Sequence, residues 1–201
     1  MDERLNRQAW LDAGLAKLAE EGPQALKVMG IAQYLGVTKG SFYWHFLDLQ
    51  AYKAAVLQEW ESKHTHKLMR HAEAVGADAR ATLRFLLKAT LSQKSPLGSA
   101  VRAWALSDEN VAQAQARVDK DRLSYVAALL REMGWPPDDA AALSRCIYYT
   151  VIGYFNTGAQ AMTERDIDLY LGLFDKGIQT NQPYPTATSE TDSAKSAQSG
   201  E

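Results

Sequence analysis

Between Lys39 and His45 the chain gathers a cation, a hydroxyl, a phenol, an indole and an imidazole, carried by Lys39, Ser41, Tyr43, Trp44 and His45. Such groups suit phosphate oxygens, base edges and thymine methyls. Gly40 stands among them at a cost of roughly 1 kcal/mol relative to alanine in a helix, tolerable in a short helix that something must approach closely, such as a sugar–phosphate backbone. Two short helices have to hold this set. Ile31, Ala32 and Leu35 form the apolar stripe of the first, and Gly36 follows where a left-handed C-terminal cap needs no Cβ. Val37 plugs the turn. Thr38 is the expected N-cap of the second helix, its hydroxyl accepting a backbone N–H two or three residues on. Phe42 and Phe46, four apart, face a core and leave the polar set on other faces.

At these residues the chain resembles the TetR family of bacterial transcriptional regulators. Members share an apolar helix ending in Leu-Gly-Val, a Ser or Thr cap, a Gly, a small hydroxyl residue, an apolar residue, Tyr, and an aromatic or His pair closing in Phe. Leu35, Gly36, Val37, Thr38, Gly40, Ser41, Phe42, Tyr43, His45 and Phe46 fit that pattern, and the resemblance is strong over residues 5–57. It implies that Lys27, Thr38, Lys39, Gly40, Ser41, Tyr43, Trp44 and His45 contact DNA. Lys39, Tyr43 and His45 would then position the helix on phosphates, and Ser41 and Trp44 would meet base edges or thymine methyls. Two departures stand out. Phe46 is followed by Leu47-Asp48-Leu49-Gln50, without the usual Lys at a phosphate, and the preceding helix carries Lys27 and Gly30 in place of the usual Thr and charged residue. Lys27 is the candidate substitute contact, while Gly30 is expected to weaken its helix.

A length of 201 residues with 46% hydrophobic content suits an N-terminal unit plus a larger helical domain, each with its own core. The net charge of −2 gives no general basic signature, and residues 26–46 hold only two lysines, though no acid. Attraction to nucleic acid therefore has to be local, helped by dimerisation and hydroxyl contacts. The single cysteine, Cys146, cannot form an intrachain disulfide and is expected to be a small buried hydrophobe. The chain begins with no signal-like segment, and its most apolar run, residues 146–155, is well short of the ~20 residues that span a bilayer. The expectation is a cytoplasmic protein without membrane contact.

Periodicity and breakers predict an all-α fold of about nine helices, near residues 2–20, 28–35, 39–45, 48–71, 77–94, 97–106, 108–133, 139–162 and 166–178. The first helix turns Leu5, Ala9, Leu11, Leu15 and Leu18 inward and stops at Gly22-Pro23; Asp48 and Asp108 are expected N-caps. This divides the chain into a helix-turn-helix DNA-binding domain (1–47), a helical effector-binding and dimerisation domain (48–179), and a disordered tail rich in Ser, Thr, Ala, Pro and Gln (180–201). Residues 146–155 are apolar or aromatic all round, so that helix is expected to be buried on two sides, a core on one and a second subunit on the other. In the TetR family the last two helices form an intermolecular four-helix bundle. The resemblance thereby points to Tyr148, Ile152, Phe155, Ala159, Tyr170, Leu173 and Phe174 as the dimer interface.

Other chemistries find less support. On one regular helix His64 and His71 share a side while His66 points some 160° away, so the three do not converge on a metal ion. No Gly-rich phosphate loop, Gly-x-Ser-x-Gly or His-Glu-x-x-His occurs, and neither an enzyme nor a cofactor is expected. Trp60, Phe85, Trp104, Tyr125, Tyr149 and Asn156 are candidate walls of an effector pocket between the central helices, although aromatic residues at helical spacing are more often plain core. The resulting expectation is a TetR-like homodimer on a near-palindromic double-stranded operator, most often a repressor released by a small molecule. The alternative is a helical small-molecule-binding protein with weak or lost DNA binding.

Overall fold

Caps and breakers set where each helix starts and stops. The computed structural model describes residues 6–92, 96–157 and 160–177; the expectations for Leu5, Ala159 and the 180–201 tail fall outside them. Helix α1 (Arg7–Glu21) is capped by Asn6, whose side chain accepts the Ala9 N–H, and ends at Gly22 with φ +81°. After a single tight turn (Pro23–Ala25) come α2 (Val28–Tyr34) and α3 (Lys39–Tyr43). Helix α4 (Leu49–Glu61) starts at Asp48, whose carboxylate accepts the Ala51 N–H at 2.7 Å as expected. It continues through a π-helical turn (Ser62–His66) into α5 (Lys67–Val75), so one rod runs over residues 49–75.

Then follow α6 (Ala79–Leu91), α7 (Leu97–Ala105), α8 (Glu109–Glu132), α9 (Pro137–Asn156) and α10 (Glu164–Gly177). Counting α4 and α5 as one rod gives nine among the described residues, and no strand is found there. Asp108 caps α8 through the Asn110 and Val111 N–H groups. Helix α9 starts earlier than its acids suggested, because Pro137 occupies the first turn, where its missing N–H costs nothing.

The core has two parts. The first gathers Trp10, Leu18, Ile31, Phe42, Phe46, Tyr52, Val56 and Trp60 from α1–α4 together with Val101, Trp104, Val111 and Val118 from α7 and the first half of α8. The second joins Leu83, Leu87 and Leu91 of α6 to Leu129, Leu130, Ile147, Ile167, Leu171 and Phe174. Helix α8 is the shared spine. Helix α1 crosses α4 so closely that a Cβ on Gly14 would lie 2.4 Å from the Tyr52 hydroxyl and 2.7 Å from Val56. On the far side Arg80, Arg84 and Lys88 of α6 pair with Asp175, Asp168 and Glu164 of α10. These pairs are exposed, so they fix helix register more than they add stability.

Candidate functional site

The turn before α3 is built by the glycine the sequence marked. Gly36 takes φ +68°, and the Gly36 and Val37 N–H groups bond back to Gln33 and Ala32 carbonyls at 3.1 and 3.0 Å, closing α2 in a Schellman motif. Helix α2 forms in spite of Gly30. Thr38 is the N-cap of α3 by backbone geometry, but its hydroxyl makes no capping bond and the residue is exposed, contrary to the expected side-chain cap. Regular helix ends at Tyr43, two residues before the expected end, and Trp44 is its C-cap.

Phe42 anchors α3. Its ring is fully buried and packs at 5.3–5.5 Å against Trp10, Tyr52 and Phe46. The Tyr52 hydroxyl, its pKa raised by burial, donates to the Trp10 carbonyl at 2.8 Å, tying α4 to α1 beneath the anchor. With Phe42 inward, Lys39, Gly40, Tyr43 and Trp44 are exposed on the opposite side; Ser41 and His45 are half-buried. Trp44 is 85% exposed, an unusual position for an indole. The Lys39 ammonium stands 5.9 Å from the Tyr43 ring centre, and Lys27 is exposed at the N-cap of α2. Sequence reasoning left out Met29, Tyr34 and Leu47, large apolar residues also exposed on this unit.

A cavity of about 340 Å³ lies between the two cores. That is at the small end of the ~300–1,000 Å³ usual for small-molecule sites. Trp60, Tyr125 and Asn156 line it. Phe85 instead packs edge-on against His71 at 5.2 Å, Trp104 belongs to the first core, and Tyr149 is exposed. Helix phase explains the three exceptions, since the cavity is faced by neighbouring positions on the same helices, Leu86, Arg102 and Tyr148.

The polar end of the cavity was missed. Asp119 accepts two bonds from Arg102, at 2.8 and 3.1 Å, one from the Tyr148 hydroxyl at 2.6 Å, and one from the Gln115 amide. Burial pushes the Tyr148 hydroxyl's pKa up; the arginine charges of Arg122 and Arg102 oppose that and the bond to Asp119 reinforces it. Burial likewise works against the Arg102 charge, and Asp119 and Tyr148 more than offset it. Gln115, Asp119 and Arg122 recur at i, i+4 and i+7 of α8, a polar stripe facing inward, and that spacing was legible.

The π turn also redirects the histidines. His64 lines the cavity, His66 lies 3.3 Å from Asp121, and His71 meets Phe85, so His64 and His71 no longer share a side. The extra residue in the turn rotates everything after it by roughly a quarter to a third of a turn.

Helices α9 and α10 keep an outward face, though not the expected one. Tyr148, Ile152 and Phe155 line the cavity and Phe174 is buried in the second core, while Tyr170 is half-buried against Phe174 at 5.1 Å. Tyr149, Leu169 and Leu173 are 60–65% exposed. Of the expected interface only Leu173 points outward among the described residues; the all-apolar helix is buried by core and cavity on the inside, leaving a narrower outward strip. Cys146 is exposed on that strip, a correction to the expected buried thiol.

No helix among the described residues is long and apolar enough to cross a membrane. Residues 11–48, from within α1 to the cap of α4, match the family described as bacterial regulatory proteins, tetR family. No curated protein matches the sequence at a significant level. Solved structures with a similar fold include Escherichia coli NemR in its reduced form, at 16% identity over 85% of this chain and 95% of that one, TM-score 0.69. A transcriptional regulator from Rhodococcus sp. Rha1 is 20% identical over 86% and 97%, TM-score 0.68. A TetR transcriptional regulator from Legionella pneumophila is 14% identical over 89% and 100%, TM-score 0.67. Residues 11–48, the helix-turn-helix unit, thus match the model of the bacterial regulatory proteins, tetR family, and the chain shares its all-helical fold with these solved structures.

Proposed function

We propose that the chain is a cytoplasmic homodimeric repressor that binds a near-palindromic operator and is released from it by a small molecule. Residues 1–47 read DNA, and residues 48–179 hold the effector and the second subunit. The observation that carries this is the orientation of α3: Phe42 is buried, and Lys39, Tyr43 and Trp44 project from the other side. Lys39, Tyr43 and His45 position the helix on phosphates; Ser41 and Trp44 meet base edges or thymine methyls; Lys27, Thr38 and Gly40 complete the contact with the backbone. The Thr38 hydroxyl is exposed and held by no capping bond, so it is free to turn its O–H toward a phosphate oxygen.

Selection of bound sequences from a random duplex pool at two salt concentrations tests the reading. A two-fold symmetric motif, bound more weakly as salt rises, is expected. Absence of any motif would favour the alternative, a ligand-binding protein without DNA function, for which the sparse cations and the acidic Asp48 after Phe46 speak.

For the dimer, the exposed Tyr149, Leu169 and Leu173 form the apolar strip that a second copy covers. Leu173→Glu is expected to convert dimer to monomer by light scattering while leaving the protomer folded. An unchanged dimer mass would move the interface elsewhere.

A further inference from the structure

The polar end of the cavity is unevenly satisfied. Asp119 has its acceptor positions filled by Arg102, Tyr148 and Gln115, and with Arg102 forms a closed, neutral pair. Arg122 is left over. It donates from one nitrogen to the His64 carbonyl at 3.1 Å and to the Thr65 hydroxyl at 3.0 Å, and its guanidinium lies 5.8 Å from the Trp60 ring centre. No carboxylate among the described residues is within ion-pair distance of it. Its Nε–H and Nη1 groups have no hydrogen-bond partner among the described residues and are each open to a single anion oxygen, while the bonds from Nη2 take up the hydrogens that a two-pronged fork would use. Gln115, 6% exposed on the cavity wall, turns its amide NH2 to Asp119 and leaves its side-chain oxygen buried without a donor among the described residues; a carboxylate anion carries no donor for it, so the anion's contact rests on Arg122.

Away from this end the walls are apolar: Leu68, Met69, Leu86, Val126, Val151 and Ile152. One uncompensated cation, an apolar body and a volume of about 340 Å³ define the complementary molecule. We propose that the cavity binds a small apolar monocarboxylic acid as its anion, with the carboxylate on Arg122 and the hydrocarbon part against the α5, α6 and α9 walls. This deepens the ligand-released reading above and rests on it only for its regulatory meaning. Arg122 is bonded to the π turn that joins α4, part of the first core, to α5, so a carboxylate drawing on that guanidinium acts where the reading head meets the cavity.

The test uses three probes with one apolar body, octanoate, 1-octanol and octylamine, titrated calorimetrically into the full chain without DNA, beside Arg122→Gln and Arg122→Lys. Octanoate is expected to bind at least about tenfold more tightly than octanol, the usual effect of one charge-assisted pair, and octylamine to bind most weakly. Arg122→Gln should remove the preference for the acid, and Arg122→Lys should keep part of it. Equal affinity for acid and alcohol, or a preference unchanged in Arg122→Gln with native far-UV and near-UV circular dichroism, would overturn the proposal. Duplex binding is measured separately. DNA binding without octanoate binding overturns this inference alone, and octanoate binding without DNA binding supports it while overturning the regulator.

Discussion

The first core is filled and the second stands beside a hole. Under α3, Trp10, Phe42, Phe46 and Tyr52 pack ring to ring, and the α1–α4 crossing is closed by a glycine with no space to spare. Under α6 and α9, Leu86, Val126, Val151 and Phe155 pack on the second core with one side and line the cavity with the other. A region proposed to position base contacts gains from having one arrangement, which a close-packed core favours. A region proposed to accept a small molecule needs walls that lose little when they move.

Truncating one side chain in each region gives the largest expected contrast. Phe42→Ala removes a fully buried ring from the aromatic cluster and should cost about 3–5 kcal/mol in urea unfolding. Leu86→Ala, half-exposed on the cavity wall, should cost less than about 2 kcal/mol, because its side chain already lacks partners on one side. Equal losses would mean that the cavity wall is as tightly built as the head.

Overpacking sharpens the same contrast at a smaller scale. Gly14→Ala puts a methyl 2.4 Å from the Tyr52 hydroxyl, and the close α1–α4 crossing has to open. The expected loss is about 1–3 kcal/mol, read from the same unfolding curves. Part of it should return in the double variant with Tyr52→Phe, which removes the nearest of the atoms in the way, leaving Val56, while giving up its bond to the Trp10 carbonyl. If Gly14→Ala is neutral, the crossing has slack and the head is less rigid than its rings imply.

How far each region could be read from sequence follows from the same difference. The head is local: Gly36, Thr38, Phe42 and Phe46 lie within eleven residues, and the turn, the place of the cap and the anchor follow from spacing alone, though the capping bond of Thr38 does not form. Asp48 and Asp108 announced α4 and α8 for the same reason. The cavity is assembled from six helices, α4 to α9, and which side of each faces it depends on rotations that periodicity fixes only loosely. Tyr148 and Tyr149 are neighbours of one kind, yet the first bonds to Asp119 inside and the second is in solvent. The π turn was invisible because a helix with one added residue has the composition of a helix without it. Its consequence is large, since it separates His64 from His71. The missed polar stripe on α8 was legible in spacing, but Gln115, Asp119 and Arg122 read as a solvated face until the partner helices are in place.

The smallest expected effect tests whether the hollow differs electrostatically as well. Burial first, then the charges of Arg122 and Lys63, hold the His64 imidazole's pKa below its usual 6.5, with Glu59 acting the other way. The unfolded chain therefore takes up the proton at a higher pH than the folded one. The stability that this neutral imidazole contributes is complete above pH 6.5 and is lost as pH falls through 6.5 toward the folded value. Because the ring opens onto the cavity, where solvent reaches it, the effect is modest. Thermal unfolding from pH 7.5 to 5.5 should show Tm falling more in the wild type than in His64→Gln, the difference between the two isolating this group from the other titrating residues. Parallel falls would mean that the cavity wall leaves His64 as well solvated as a surface histidine. An octanoate bound at Arg122 would offset the charge that opposes protonation, so saturating the wild type should bring its pH dependence toward that of the variant.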